Sequence, residues 1–259
     1  MSLTIVATPI GDPEDISLRA LRLLKDADLI IGEEQKILNS FLRQWDIVNK
    51  KIQFLNEHST RDDLAELLRF CETSKVVLVS DCGTPGFCDP GSDLVDLCRQ
   101  KKIVVNSAPG ASSLMVFLSL CGLKLTQFHF EGFLPANREL REERVKELKN
   151  MDIPIVLMDT PYRLMKILGL LKEHFFKWNV RLGANLTQEN EYFLVGDTKT
   201  VLSEIELQGL PQKAEFILMI IPPENKQKKI VEKSRRNSNA HRIRKNRPKA
   251  WTKRRTTGK

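Results

Sequence analysis

Residues 79–91 read VSDCGTPGFCDPG, where two carboxylates, Asp81 and Asp89, flank a backbone rich in glycine and proline. Carboxylates in such a turn accept hydrogen bonds from ligand hydroxyls or amines, or they cap the turn itself. The stretch closes the apolar run KVVLV, and open parallel sheets bind ligands at the carboxyl ends of their strands. Two more turn-rich segments, TPIGDPED and SAPGASS, follow short apolar runs in the same way. Three such turns point to a small-molecule cleft, with purely structural turns as the alternative. Glycine lets the backbone approach a ligand closely, and proline stiffens the turn.

The spacing does not suit a nucleoside triphosphate. No G-x-G-x-x-G follows the first strand, no G-x-x-x-x-G-K-[ST] occurs, and residues 79–91 contain no lysine. A cationic ligand, or one rich in hydroxyl and amine groups, fits better. Cys71, Cys82, Cys88, Cys98 and Cys121 are odd in number and irregularly spaced. They predict reduced thiols in a cytoplasmic protein, with neither a metal site nor a disulfide framework.

The elements that must carry these turns alternate. Leu3 to Ala7 reads as a strand, Ile16 to about Leu29 as a helix capped by Asp15 or Ser17, and 62–71 as a helix. Val76 to Val79 is a strand, 92–100 a helix, 103–105 a strand and 114–120 an apolar helix. This alternation predicts an α/β domain with a mainly parallel sheet over residues 1–118. Beyond it lie a charged amphipathic segment, NRELREERVKELKN, the strand IPIVLM and the helix YRLMKILGLLKEHF. VRLGANLT, EYFLVG and AEFILMII then read as closely spaced strands. Residues 119–223 are therefore expected to form a second α/β domain with a mixed sheet.

Charge divides the chain. Residues 224–259 hold 15 Lys+Arg against 2 Asp+Glu, leaving 26 basic and 31 acidic residues in the first 223. A mildly acidic body thus carries a strongly basic tail, expected to be flexible and suited to phosphate backbones. No run approaches the roughly 18 apolar residues of a membrane span, and the start MSLTIVATPIG lacks the basic region of a signal peptide.

LTIVATPIGDPEDISLRAL, VSDCGTPGFCDPG, SAPGASS and FEGFLP occur in that order. Together they resemble the tetrapyrrole methylase superfamily, and within it the rRNA small-subunit methyltransferase I family. The resemblance covers roughly residues 3–222. It implies two α/β domains in a homodimer and S-adenosylmethionine held in the cleft between them. The implied reaction is methylation of the 2′-hydroxyl of a cytidine of 16S rRNA in the small ribosomal subunit. It places the cofactor against Pro9, Asp81, Gly83, Asp89, Ser112 and Ser113, with Met158, Asp159, Leu186, Ala214 and Glu215 also bordering it.

The departures from that family cluster on the acceptor side. An ED-T-R stretch becomes Glu33, Glu34, Gln35 and Lys36, and lysine does not reproduce the planar donor of arginine. A basic stretch becomes ANRELREER, E-S-x-x-R becomes DTPYR and R-E-L-T-K becomes ANLTQ. Transfer to a hydroxyl calls for an aligned approach and a proton acceptor. The resemblance puts Glu33 there as base or orienting group, Lys36 as its electrostatic partner and His58 as a second acceptor. Solvated helix-end charges and a loop cap are the plain alternatives. Arg163 is the expected RNA contact in the body, with a surface salt bridge as its alternative. Arg235, Arg236 and Trp251 are the tail's candidates for phosphate binding and stacking. An RNA-binding protein without transfer activity, and a methyltransferase of tetrapyrroles or other small metabolites, are the competing functions.

Overall fold

Hydrophobic residues at period two on strands and at three to four on helices build two five-stranded sheets in this computed structural model, which describes residues 1–223. The first sheet takes β1 (Ser2–Val6), β2 (Leu29–Gly32), β3 (Lys51–Phe54), β4 (Lys75–Leu78) and β5 (Val105–Ala108). Its order is β3-β2-β4-β1-β5, and every neighbouring pair is parallel. Between the strands run α1 (Leu18–Asp26), α2 (Gln35–Gln44), α3 (Arg61–Thr73) and α4 (Ser92–Gln100).

Alternate side chains on the strands point to opposite faces, so both faces of this sheet must be covered. Val6, Ile30 and Val77 pack under Ala20 and Leu24 of α1 and Leu38 and Leu42 of α2. Leu3, Ile31, Val76 and Leu78 pack under Leu67 and Cys71 of α3 and Leu94 and Cys98 of α4. Local chemistry sets the helix starts. Ser17 Oγ accepts from Ala20 N at 3.0 Å, and Thr60 and Asp63 form a reciprocal capping box.

The helix expected to run to about Leu29 stops at Asp26, and Leu29 to Ile31, almost wholly buried, form a strand instead. Two β-branched neighbours and burial on both faces override the helical periodicity. The strand expected at 103–105 begins at Val105 and runs to Ala108.

The second sheet contains β6 (His129–Gly132), β7 (Ile155–Asp159), β8 (Asn179–Ala184), β9 (Tyr192–Asp197) and β10 (Phe216–Ile221). Its order is β6-β7-β10-β8-β9, with only the β6–β7 pair parallel, so the sheet is mixed as expected. One face is covered by α6 (Arg138–Lys149), α7 (Leu164–His174) and α8 (Thr198–Leu207). The other receives α5 (Ser113–Leu120), whose Phe117 is fully buried with Val156, Ile217 and Met219. The boundary expected after residue 118 therefore falls inside a helix that follows the first sheet and packs on the second. Among the described residues no helix is long and apolar enough to cross a membrane.

Candidate functional site

Strands β1 and β4 are neighbours, yet the chain leaves them in opposite directions, β1 toward β2 and β4 toward β5. Such a reversal opens a crevice beyond the strand ends. The two loops meet there through a pair of backbone hydrogen bonds, Thr8 N to Gly83 O at 2.8 Å and Gly83 N to Thr8 O at 3.1 Å. Buried Thr8 also donates its hydroxyl to Ser80 O at 3.3 Å. Gly83 holds φ at +77°, a conformation that side chains disfavour. The third loop closes in at Gly110, where a Cβ would lie 2.9 Å from that of Ala7. Thr84 Oγ1 donates to Ala111 O at 3.0 Å and links the second loop to the third.

The second domain supplies the opposite wall. Asp12 N donates to Thr187 Oγ1 at 3.1 Å, which ties the first loop to the turn after β8. Between the walls lies a cleft of about 290 Å³, near the lower end of the ~300–1,000 Å³ usual for ligand sites. Of the residues expected at the cofactor, Gly83, Asp89, Ser112 and Ser113 line it from the first domain side. Met158, Asp159, Leu186 and Glu215 line it from the second. Pro9 sits between Thr8 and the lining residue Ile10, and Asp81 Oδ1 accepts from Glu34 N at 3.1 Å without lining the cleft. Ala214, next to the lining residue Glu215, is buried in the second domain's core and does not itself line the cleft.

The donor set fits S-adenosylmethionine. Ile10, Leu114, Met158 and Phe216 provide apolar contact, and Thr84, Ser112 and Ser113 provide hydroxyls. Asp89, Asp159 and Glu215 add three carboxylates, with no lysine or arginine among the lining residues. That combination favours sulfonium, ammonium and ribose hydroxyl groups, and it disfavours phosphate. Burial raises the pKa of Asp89, Glu215 and Asp159, so a cationic ligand would stabilise their charged forms. Asp159 Oδ1 accepts from Thr160 N at 2.8 Å. Its buried Oδ2 lies 3.2 Å from Arg163 Nη1 but is misaligned for a hydrogen bond. Cys82 is exposed, yet local desolvation, then Asp89, Glu215, Asp81 and Glu33, push its thiol up to about 11 and disfavour the thiolate.

Glu33 is half-buried beside these acids, and burial, then Asp81 and Asp89, raise its pKa. Lys36 is exposed on the first turn of α2, and His58 is exposed with its ring 3.6 Å from Glu57. None of the three lines the cleft. Arg163 turns inward: it is ion-paired with Asp159 and donates to Leu134 O at 3.1 Å and Pro135 O at 3.3 Å. Arg235, Arg236 and Trp251 lie outside the described residues. Among the described residues no cluster of potential ligands could hold a metal ion, and the five cysteines are free.

Sequence reasoning missed Phe87, Phe133 and Tyr162 around the cleft. The visible signal for the two phenylalanines was the repeated Gly-Phe of PGF and EGF, whereas Tyr162 in DTPYR had none. Arg141 was missed as well, because a charged helix hides which one of its arginines turns inward.

The family profile for Tetrapyrrole (Corrin/Porphyrin) Methylases matches residues 2–202. A "Ribosomal RNA small subunit methyltransferase I" of Neisseria meningitidis is 31% identical over 91% of this chain and 81% of the relative. The protein of that name from Thermotoga maritima is 34% identical over 79% of this chain and 91% of its own length. Among solved structures, a diphthine synthase superposes with a TM-score of 0.67 at 16% identity, covering 85% of this chain and 90% of that one. A cobalt precorrin-4 methyltransferase gives 0.59 at 16% identity, covering 85% and 94%. Those two likenesses concern the fold. The chain belongs to the tetrapyrrole methylase family and, within it, to the ribosomal RNA small subunit methyltransferase I family, whose methyl donor is S-adenosylmethionine.

Proposed function

We propose that this methyltransferase modifies the 2′-hydroxyl of a cytidine in 16S rRNA, in the cytoplasm and as a homodimer. The observation that carries the reading is the carboxylate-lined cleft at the β1/β4 reversal, free of cationic side chains, in a chain similar to rRNA methyltransferases along most of its length. The donor supplies an activated methyl group on a sulfonium. The chain must then orient a hydroxyl, exclude water and accept a proton.

Glu33 is the proposed proton acceptor, since its raised pKa brings a carboxylate nearer the working range of a general base. Lys36, on the first turn of α2, is proposed to draw in the phosphate beside the acceptor, and His58 to act as a second acceptor. Asp81 fixes this strip by accepting from Glu34 N. The edge strand β5, with Asn106 and Ser107 exposed, and the adjacent Val104 and Met115, 57% and 63% exposed, support a contact between two copies. The five free cysteines suit a reducing compartment. Arg235, Arg236 and Trp251 are proposed to add phosphate and stacking contacts from the basic tail.

Mass mapping of 16S rRNA from a strain lacking the gene tests the reading. Loss of one ribose-methylated cytidine, restored by the intact gene, is expected. An unchanged modification map would overturn it.

A further inference from the structure

Among the described aromatic side chains, Phe87, Phe133, Tyr162 and Phe176 are the strongly exposed ones, at 67%, 51%, 78% and 60%. Three of these four stand at the cleft. Phe87 and Phe133 line it, and Tyr162 follows the lining residue Pro161. Exposed rings are unfavourable in water, so their gathering at one opening calls for an occupant.

Backbone geometry turns both phenylalanines outward. Phe87 follows Gly86, whose φ is +85°, and Phe133 follows Gly132, whose φ is +69°. The pairing of β6 with β7 also shifts register between Phe130 and Gly132, an irregularity of the kind that re-aims a side chain. The Phe87 ring rests 4.9 Å from that of Phe130 at an interplanar angle of 43°. A loop of the first domain and a strand of the second therefore hold the aromatic surface together.

Charge selects the occupant. The lining carboxylates Asp89, Asp159 and Glu215 repel phosphate, so the neutral part of a nucleotide enters and its backbone stays outside. A cation stands beside one of these rings, since Lys213 Nζ lies 3.8 Å from the centroid of the Tyr162 ring. An aromatic face beside a lysine matches an unpaired nucleobase with its flanking phosphate.

We propose that Phe87 and Phe133, with Tyr162 and Lys213 at the rim, form a stacking platform for an unpaired base of the RNA acceptor. The proposal rests on the rRNA reading above. It assigns these side chains to positioning the acceptor, and it separates them from the carboxylates that face the donor.

The test uses the full chain and a short single-stranded RNA carrying pyrrolocytidine, whose fluorescence falls on stacking. Phe87→Leu and Phe133→Leu keep apolar bulk but lose the aromatic face, whereas Phe87→Tyr and Phe133→Tyr keep it. Each leucine variant should weaken RNA binding roughly 10-fold and lose the quenching. Each tyrosine variant should stay near wild type. Calorimetric affinity for S-adenosylmethionine should change less than RNA affinity. Equal loss in the leucine and tyrosine variants, or wild-type quenching in the leucine variants, would overturn the platform. If the wild type transfers methyl to rRNA while the leucine variants bind normally, the platform alone falls. If the wild type neither binds the probe nor modifies rRNA, the rRNA reading falls and takes the platform with it.

Discussion

Asp89 on one wall of the cleft faces Asp159 and Glu215 on the other, without a lysine or arginine among the lining residues, and desolvation raises the pKa of each. A raised carboxylate pKa means that the folded protein holds its proton more tightly than the unfolded chain does. Stability from that group is complete below the unfolded value and is lost as pH rises through the folded one. Glu215 starts from an ordinary value of 4.5, so its window lies above that pH. Glu215 is exposed, so solvent screens much of this effect, and Glu215→Gln should melt only slightly above wild type near neutrality. The difference should vanish as pH falls to the unfolded value. The same variant should bind S-adenosylmethionine more weakly, having lost a counter-charge for a cationic donor. Thermal melts across pH, paired with calorimetry, check both. A variant no more stable than wild type at neutral pH would show that the carboxylate is not held against its desolvation.

At the scale of elements, the segment between β6 and α6 is fastened by two arginines. Arg141, buried on α6, donates to Pro135 O at 3.0 Å and Ala136 O at 2.8 Å, and Arg163 reaches Leu134 O and Pro135 O from the turn after β7. A third link joins β6 to α6, where Glu131 accepts from Arg144 Nε at 2.6 Å and is paired with His129 at 2.7 Å. These ties fix the strand end that carries Phe133. Arg163→Ala should cost about 3 kcal/mol, because Asp159 stays buried without its partner. Adding Asp159→Asn should recover part of the loss. Urea unfolding of the two single variants and the double variant measures the coupling, and a loss below about 0.5 kcal/mol for Arg163→Ala would contradict the brace.

The inward role of Arg163 was not legible in DTPYR. Its carbonyl partners lie 28 and 29 residues earlier in the chain, and a contact of that separation leaves no local pattern. The three turn segments were legible, because glycine and proline after an apolar run carry their own conformational preferences. Strand β2 was not, since its apolar residues continued the period of α1 until burial on both faces decided the matter.

At the scale of the molecule, residues of both domains line the donor cleft, and α5 joins the two sheets by following the first and packing on the second. Alternating elements announced the parallel sheet, and closely spaced strands announced the mixed one. The helix shared between them stayed hidden, because an apolar helix does not declare which sheet it covers. The cofactor side of the cleft was readable from motif order, whereas the aromatic rim emerged only with the exposure of Phe87, Phe133 and Tyr162. Both sides must meet for transfer.

The most direct measurement supplies purified full-length protein with methyl-deuterated S-adenosylmethionine and small ribosomal subunits from a strain lacking the gene. Mass analysis of the digested rRNA should place the labelled methyl on the ribose of one 16S cytidine. Absence of label from the rRNA, or label on a base and not a ribose, would contradict the account.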